Sequence, residues 1–273
     1  MSEKLILMKL GGSVITEKNS PFTERGDVIK RLAKEISEAR KESDFKLIVG
    51  HGGGSYPHVP AAKFHTQEGI INDDSYEGIA RVQDAASRLN RIIVRELIDA
   101  GENAVSIQLS ACSVAEKGRL KEMYLKPLSL MLDYDMLPVP HGDVACDISK
   151  GCCILSTEEV LNYLTRHKSN LVKGYDVDRV IVCGRVDGVF NGDPEDPESE
   201  VIKEITPESL NEIEDYLAES SGIDVTGGMI HKVKRMMELT EQGVQTEIVN
   251  ALRPGYVKRA LLGEENLGTV IKR

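Results

Sequence analysis

Three stretches of the 273-residue chain set a lysine or histidine beside a run of glycines. The first is Lys9-Leu10-Gly11-Gly12-Ser13, with Lys18 nine residues after Lys9. Glycines after an apolar run let backbone N–H groups approach an anion, because no Cβ blocks the way. A lysine ending the same run would aim its ammonium at that anion. The second is His51-Gly52-Gly53-Gly54-Ser55, followed by His58. Consecutive glycines cost conformational entropy and make sense where backbone must wrap a phosphate. His58 lies just past that loop, close enough to hydrogen-bond the same group. The third is Asp224-Val225-Thr226-Gly227-Gly228-Met229, with Lys232 expected one turn into a following helix. Thr226 can cap that helix, whose N-terminus and glycines offer donors to a phosphate. A lysine near the positive end of a helix dipole is unfavourable unless a polyanion is bound there. Each stretch also has a plainer account: a strand-end lysine snorkelling to water, a structural histidine, a surface lysine at slight cost. Converging on one sheet edge, such cations and backbone donors suit phosphoryl transfer, which depends mainly on positioning and charge stabilisation.

The elements that must position these residues are legible as apolar runs ending in glycine. Leu5–Leu10 stops at Gly11-Gly12, and Lys46–Val49 runs into Gly50-His51-Gly52. Between them Ile29, Leu32, Ala33 and Ile36 have helical spacing, so about 26–43 is an amphipathic helix. A long helix is expected over 74–100, with strands at 104–108, Leu137–Pro140 and Cys152–Leu155. Ser156-Thr157-Glu158-Glu159 reads as a helix start. Arg179–Cys183 and Glu247–Asn250 are further buried strands, and a last strand is expected over 268–272. Helices are expected over 206–219 and 228–243, with a short one ending near Leu262. Residues 191–200, rich in Pro, Asp, Glu and Gly, read as a mobile surface loop. Strand, glycine turn, helix, strand is the rhythm of a parallel α/β sheet, which takes ligands at the carboxyl ends of its strands. The natural boundary falls near 170, giving lobes 1–170 and 171–273 on one continuous sheet.

Composition narrows the function class. A net charge of −10 argues against nucleic acid and anionic membrane surfaces, and 4% aromatics without tryptophan argues against base-stacking platforms. No apolar run approaches the ~18 residues a transmembrane helix needs, and no signal-peptide pattern follows the N-terminus, so a cytoplasmic setting is expected. The five cysteines are odd in number and show no C-x-x-C spacing, so buried reduced thiols are expected rather than zinc or disulfides. There is no G-x-x-x-x-G-K-[ST], no kinase H-R-D or D-F-G, and no G-x-G-x-x-G at the second glycine run.

In order along the chain, KLGGSVITEK (9–18), GHGGGSYPH (50–58), PVPHGDV (138–144), RVDGVF (185–190), DVTGGMIHK (224–232) and VNALRPGYVKRALLGEENLGT (249–269) resemble the amino-acid-kinase superfamily. Within it they are most similar to the archaeal type of isopentenyl phosphate kinase. The resemblance implies a three-layer αβα sandwich with a mainly parallel central sheet, usually a homodimer. It also implies transfer of a phosphoryl group from ATP, with Mg2+, to isopentenyl phosphate on an alternative mevalonate route to isoprenoids. The N-terminal lobe would hold the acceptor and the C-terminal lobe ATP. The matching positions assign Lys9, Lys18 and Lys232 to the phosphates, and His58 to the acceptor phosphate. Glu158 stands where the family usually has an aspartate that orients the lysines. Gly11, Gly12, Ser13, Asp187, Gly188, Gly227 and Gly228 fall at the nucleotide, and Gly53, Gly54, Ser55 and Asp143 at the acceptor. Val82, Val144 and Ile154 would line an apolar pocket for its tail. No protein ligand for the metal is implied. Pro57 replaces a common glycine and removes one N–H donor from the loop. Gly184-Arg185 replaces Thr-Asp beside the nucleotide. Two other readings share these motifs: a kinase of another small phosphate or phosphonate, of the fosfomycin type, and a catalytically silent nucleotide-binding regulator.

Overall fold

The structure, a computed structural model, describes residues 3–17, 19–171, 175–194, 196–210, 213 and 225–273, the side chains of 225–229, 231 and 232 aside. Strand β1 (Lys4–Leu10) is buried along nearly its whole length, as a strand covered on both faces requires. Its alternate side chains enter two different cores: Leu5 and Leu7 one, Ile6, Met8 and Leu10 the other. β2 (Lys46–His51) and β9 (Asp176–Gly184) flank it in parallel, and β13 (Gln245–Asn250) continues in parallel beside β9. β14 (Gly268–Ile271) adds on antiparallel and β12 (Glu204–Ile205) closes that edge. Past β2 the sheet runs on through β6 (Leu137–Pro140) and β3 (Ala104–Ile107), a parallel pair. The join is a parallel bridge between His51 and His141, with Gly142 N–H donating to His51 O at 3.1 Å.

Helices cover both faces. α2 (Gly26–Glu42), α4 (Asp74–Asp99) and α9 (Tyr256–Leu261) bury Leu32, Ile36, Leu89, Ile93 and Val257 with Ile6 and Met8. α6 (Lys126–Asp133), α7 (Thr157–Arg166) and α8 (Val225–Thr240) bury Leu128, Leu132, Val160, Leu164, Val233 and Met236 with Leu5 and Leu7. The result is a three-layer αβα sandwich on a mainly parallel sheet, as expected. α9 is anchored by Glu35 of α2, a buried carboxylate that accepts the N–H groups of Gly255 (2.9 Å) and Val257 (3.1 Å).

Several elements differ from the expectation. A second sheet, ordered β5-β4-β7-β8, lies beside the first. It comprises β4 (Ser113–Glu116), β5 (Arg119–Met123), β7 (Asp143–Asp147) and β8 (Gly151–Leu155), of which the apolar pattern indicated only the last. The β4–β5 hairpin turns through Lys117 (φ 52°) and Gly118 (φ 77°), and Asp147 Oδ2 accepts Gly118 N–H at 2.7 Å. A Lys-Gly pair is a weak hairpin signal, and its partner Asp147 is distant in sequence. α8 begins at Val225, so Gly227 and Gly228 lie inside its first turn and Lys232 about two turns along. The expected dipole penalty on Lys232 is therefore small, because the effect fades beyond the first turn. Asp224 and most of 206–219 fall outside the described residues. All five cysteines are free; Cys152, Cys153 and Cys183 are buried, but Cys146, the one exposed residue of β7, faces water, and Cys112, at the end of a short helix (Leu109–Cys112), is half-buried. Among the described residues no helix is long and apolar enough to cross a membrane.

Candidate active site

The carboxyl ends of β2, β1, β9 and β13 lie side by side, and each carries a segment singled out above. Gly11 leaves β1 with its N–H donating to Cys183 O of β9 at 2.9 Å; a Cβ there would stand 2.6 Å from that oxygen. Gly12 opens the short helix α1 (Gly12–Ile15), and a Cβ on it would meet Gly54 N at 2.5 Å. Gly54 has φ +54°, a conformation that favours glycine. Thr16 ties the two turns together: its Oγ1 donates to Gly12 O at 2.9 Å and accepts Ser55 N–H at 3.0 Å. The two glycine turns thus touch backbone to backbone, as they must if both are to face one anion.

Lys9 is 8% exposed beneath these turns, and its Nζ pairs with Glu158 in the first turn of α7. Ser156 caps that helix, accepting Glu159 N–H at 3.2 Å, so the cap sets where Glu158 stands. Ser55 is buried beside the loop with its Oγ lacking a hydrogen-bond partner, an unspent donor suited to a phosphate oxygen. Ser13 is exposed on α1. His58 is the exposed first residue of α3 (His58–Lys63), with Pro57 at its N-cap already in helical conformation. Partial desolvation by the surrounding protein holds the His58 pKa below the usual histidine value. Lys18 lies outside the described residues.

Val82 of α4, Val144 of β7 and Cys152 of β8 form a small buried apolar cluster apart from the two main cores. Ala61, one turn after His58 on α3, packs against it together with Ile79. Ile154 pairs with Val144 across the β7–β8 ladder, on the same face, and is half-buried. Asp143 is buried, and its carboxylate accepts Ser110 N–H (3.1 Å), Ser110 Oγ–H (2.7 Å) and Val144 N–H (2.8 Å). It fixes the start of α5 (Leu109–Cys112) and the position of Val144.

On the far side of Lys9, Asp187 and Gly188 form the turn after β9. Asn250 Nδ2 donates to Asp187 Oδ1 at 2.9 Å, and Arg253 pairs with the other oxygen. Burial opposes ionisation of Asp187, but these two bonds outweigh it and hold the carboxyl below its usual pKa. Gly188 has φ +145°, and a Cβ there would crowd Thr269, whose Oγ1 accepts Val189 N–H at 2.8 Å. β10 (Val189–Phe190) and β11 (Val201–Ile202) then close the 191–200 loop as a hairpin. α8 is held to α7 by Arg235, whose guanidinium lies 3.1 Å from Glu159.

Compared with known proteins, residues 4–250 match the model of the amino acid kinase family. The chain belongs to that family. Isopentenyl phosphate kinase of Methanothermobacter thermautotrophicus is 35% identical over 98% of both chains. That of Methanocaldococcus jannaschii is 32% identical over 95% of this chain and 96% of its own. Among solved structures, an isopentenyl phosphate kinase superposes with a TM-score of 0.80 at 32% identity, covering 98% of this chain and all of that one.

Within this amino acid kinase, the fold brings Lys9, Gly11, Gly12, Gly53, Gly54, Ser55 and Glu158 to one place, and Val82, Val144 and Ile154 to an adjoining one. Asp187 and Gly188 lie apart, at the ends of β9 and β13. Gly227, Gly228 and Lys232 are placed by backbone alone, on α8. Residue-by-residue reading missed Thr16, Asn250 and Arg253, which hold the turns together. Asn250 and Arg253 lie inside the VNALRPG stretch, and Thr16 inside KLGGSVITEK, so the motif strings contained them without showing their partners.

Proposed function

We propose that this protein transfers the γ-phosphoryl group of ATP to isopentenyl phosphate, giving isopentenyl diphosphate and ADP. The observation that carries the reading is the adjacency of an anion cradle and a hydrocarbon wall. His58 and Ala61 stand one turn apart on α3, the first beside the glycine loop and the second against Val82, Val144 and Cys152. A phosphate seated at Gly53, Gly54, Ser55 and His58 would send a short apolar tail along that wall. A fosfomycin-type acceptor has no such tail to bury, and the two relatives named above are isopentenyl phosphate kinases.

The acceptor oxygen is already anionic, so no strong general base is required. The site must hold two phosphate groups together against their repulsion. Lys9 lies between the acceptor loop and the β9 edge and supplies charge to both groups, with Glu158 fixing its direction. Lys18 and Lys232 complete the cationic set. The Ser55 hydroxyl and the glycine N–H groups donate to the acceptor phosphate, and His58 donates a hydrogen bond that is stronger when its ring is protonated. Asp187 shapes the nucleotide turn with Gly188, and Gly11, Gly12, Ser13, Gly227 and Gly228 belong to the other segments proposed to bind the nucleotide. Mg2+ would accompany the nucleotide and neutralise its phosphate charge. On this reading residues 1–170 hold the acceptor and 171–273 the nucleotide. A homodimer is proposed from the family resemblance, and light scattering tests it.

The test is ADP release with ATP and Mg2+ against isopentenyl phosphate, dimethylallyl phosphate, fosfomycin, UMP and glutamate. Selective turnover of isopentenyl phosphate is expected. Preference for fosfomycin or UMP, or silence across the panel with ATP still bound, would refute the proposal.

A further inference from the structure

His51 and His141 end adjacent parallel strands at the same level, and each is followed by a glycine. Both are 1% exposed, and their rings stack with centroids 5.5 Å apart and planes 15° from parallel. Each ring turns back on its own chain: His51 Nδ1 lies 3.0 Å from Gly52 O, and His141 Nδ1 lies 3.1 Å from Gly142 O. A carbonyl only accepts, so Nδ1 carries the proton in both rings. That leaves His51 Nε2 as an acceptor. Asn90 of α4 meets it, its Nδ2 donating to Nε2 at 3.0 Å and to Val139 O at 3.3 Å. A second proton on His51 would point at the Asn90 NH2 group. Burial, then the neighbouring His141, accordingly push the His51 pKa down to about 3, and burial lowers that of His141.

The glycines that the rings hold open the two acceptor-side segments, Gly52–His58 and Gly142–Val144. Within a peptide plane the carbonyl and the next N–H point in opposite directions. Fixing Gly52 O therefore aims Gly53 N–H, and fixing Gly142 O aims Asp143 N–H. The His51 carbonyl is itself held by Thr157 Oγ1–H at 2.5 Å and Gly142 N–H at 3.1 Å, which joins the pair to the α7 cap that sets Glu158.

We propose that His51 and His141, with Asn90 behind them, are a matched pair of neutral ring clamps that set the peptide planes of the acceptor loops. They are positioning residues that act through the backbone and do not touch the acceptor. The inference rests on the acceptor site assigned under Proposed function.

Three experiments on the full chain test it. In nitrogen-15 NMR of the histidine rings at neutral pH, His51 should show a neutral ring protonated at Nδ1; a charged ring or an Nε2–H tautomer would overturn the proposal without any variant. In steady-state kinetics, His51→Ala should raise the KM for isopentenyl phosphate at least tenfold while leaving the ATP KM within about twofold. His51→Asn, whose amide can still donate to Gly52 O, should return the acceptor KM to within about threefold of wild type. Equal losses in both variants, equal effects on both substrates, or no effect would refute it. If the wild type proves inactive on isopentenyl phosphate, the functional reading fails. The clamp is then decided by the amide shifts of Gly52–Ser55 on adding inorganic phosphate. They should be lost in His51→Ala and restored in His51→Asn; shifts unchanged in His51→Ala would refute the clamp.

Discussion

Replacing Glu158 with glutamine isolates the ion pair at the centre of the site. Lys9 and Glu158 are close to equally buried, with side chains 10% and 16% exposed. Removing one partner from a buried pair strands the other charge and typically costs ~3–5 kcal/mol. Glu158 keeps some water contact and glutamine can still accept a hydrogen bond, so the lower end, ~3 kcal/mol, is expected. For a chain of this size that is a fall in Tm of roughly 6–12 °C. The assay is thermal unfolding of wild type, Glu158→Gln, Lys9→Met and the double variant. In the Lys9→Met background the glutamine should cost less than ~1 kcal/mol, because no stranded ammonium remains. Saturating ATP should recover much of the Glu158→Gln loss, since the nucleotide phosphates offer Lys9 a new anion. Turnover should nevertheless fall by on the order of a hundredfold, as a lysine misplaced by an ångström no longer bridges both groups. A Glu158→Gln protein that melts with wild type, or a cycle that is simply additive, would refute the pairing.

The remaining predictions concern the loop, the wall and pH. Gly54→Ala forces an alanine into φ +54° and against Thr16 and Gly12; the backbone term alone is ~1–2 kcal/mol, and an acceptor KM raised tenfold or more is expected in initial-rate kinetics. Val144→Ala opens the buried cluster, so longer prenyl phosphates should gain relative kcat/KM, each methylene being worth ~1–3 kcal/mol; unchanged chain-length selectivity would remove Val144 from the wall. The folded state keeps His51, His58 and His141 neutral below their ordinary pKa, whereas the unfolded chain binds a proton near pH 6.5. The unfolded state therefore gains protons first, and stability falls as pH drops below that value. His51 alone contributes about 1.4 kcal/mol per pH unit down to about pH 3. Urea unfolding between about pH 7.5 and 5 reads this before the carboxylates titrate, and a flat profile would contradict the buried neutral pair.

Strands β1, β2 and β9 were legible because a strand buried on both faces is written as a continuous apolar run, and a parallel sheet ends such runs in glycine turns. α2 was legible from the spacing of Ile29, Leu32, Ala33 and Ile36. The β4–β5 hairpin was not, because its turn relies on Asp147 rather than on a strong local turn pair. In the site, lysines and glycines announce themselves by type. Their supports do not: Thr16 reaches Ser55 across 39 positions and Lys9 reaches Glu158 across 149. An ordinary threonine or asparagine carries no local mark of such a partner. Asp143 shows the converse, a conspicuous acid whose oxygens already accept from Ser110 and Val144.

The order of strands along the carboxyl edge works as a ruler. Neighbouring strands stand ~4.8 Å apart, so the two steps from β2 through β1 to β9 place the proposed acceptor loop and the proposed nucleotide turn ~10 Å apart, and hydrogen-bond ladders hold that interval. The wall proposed to face the acceptor tail belongs instead to α3, α4 and the smaller sheet, which are not part of the ruler. A lineage can therefore rebuild the wall for a new acceptor while the reach of the transferred phosphoryl group stays constant.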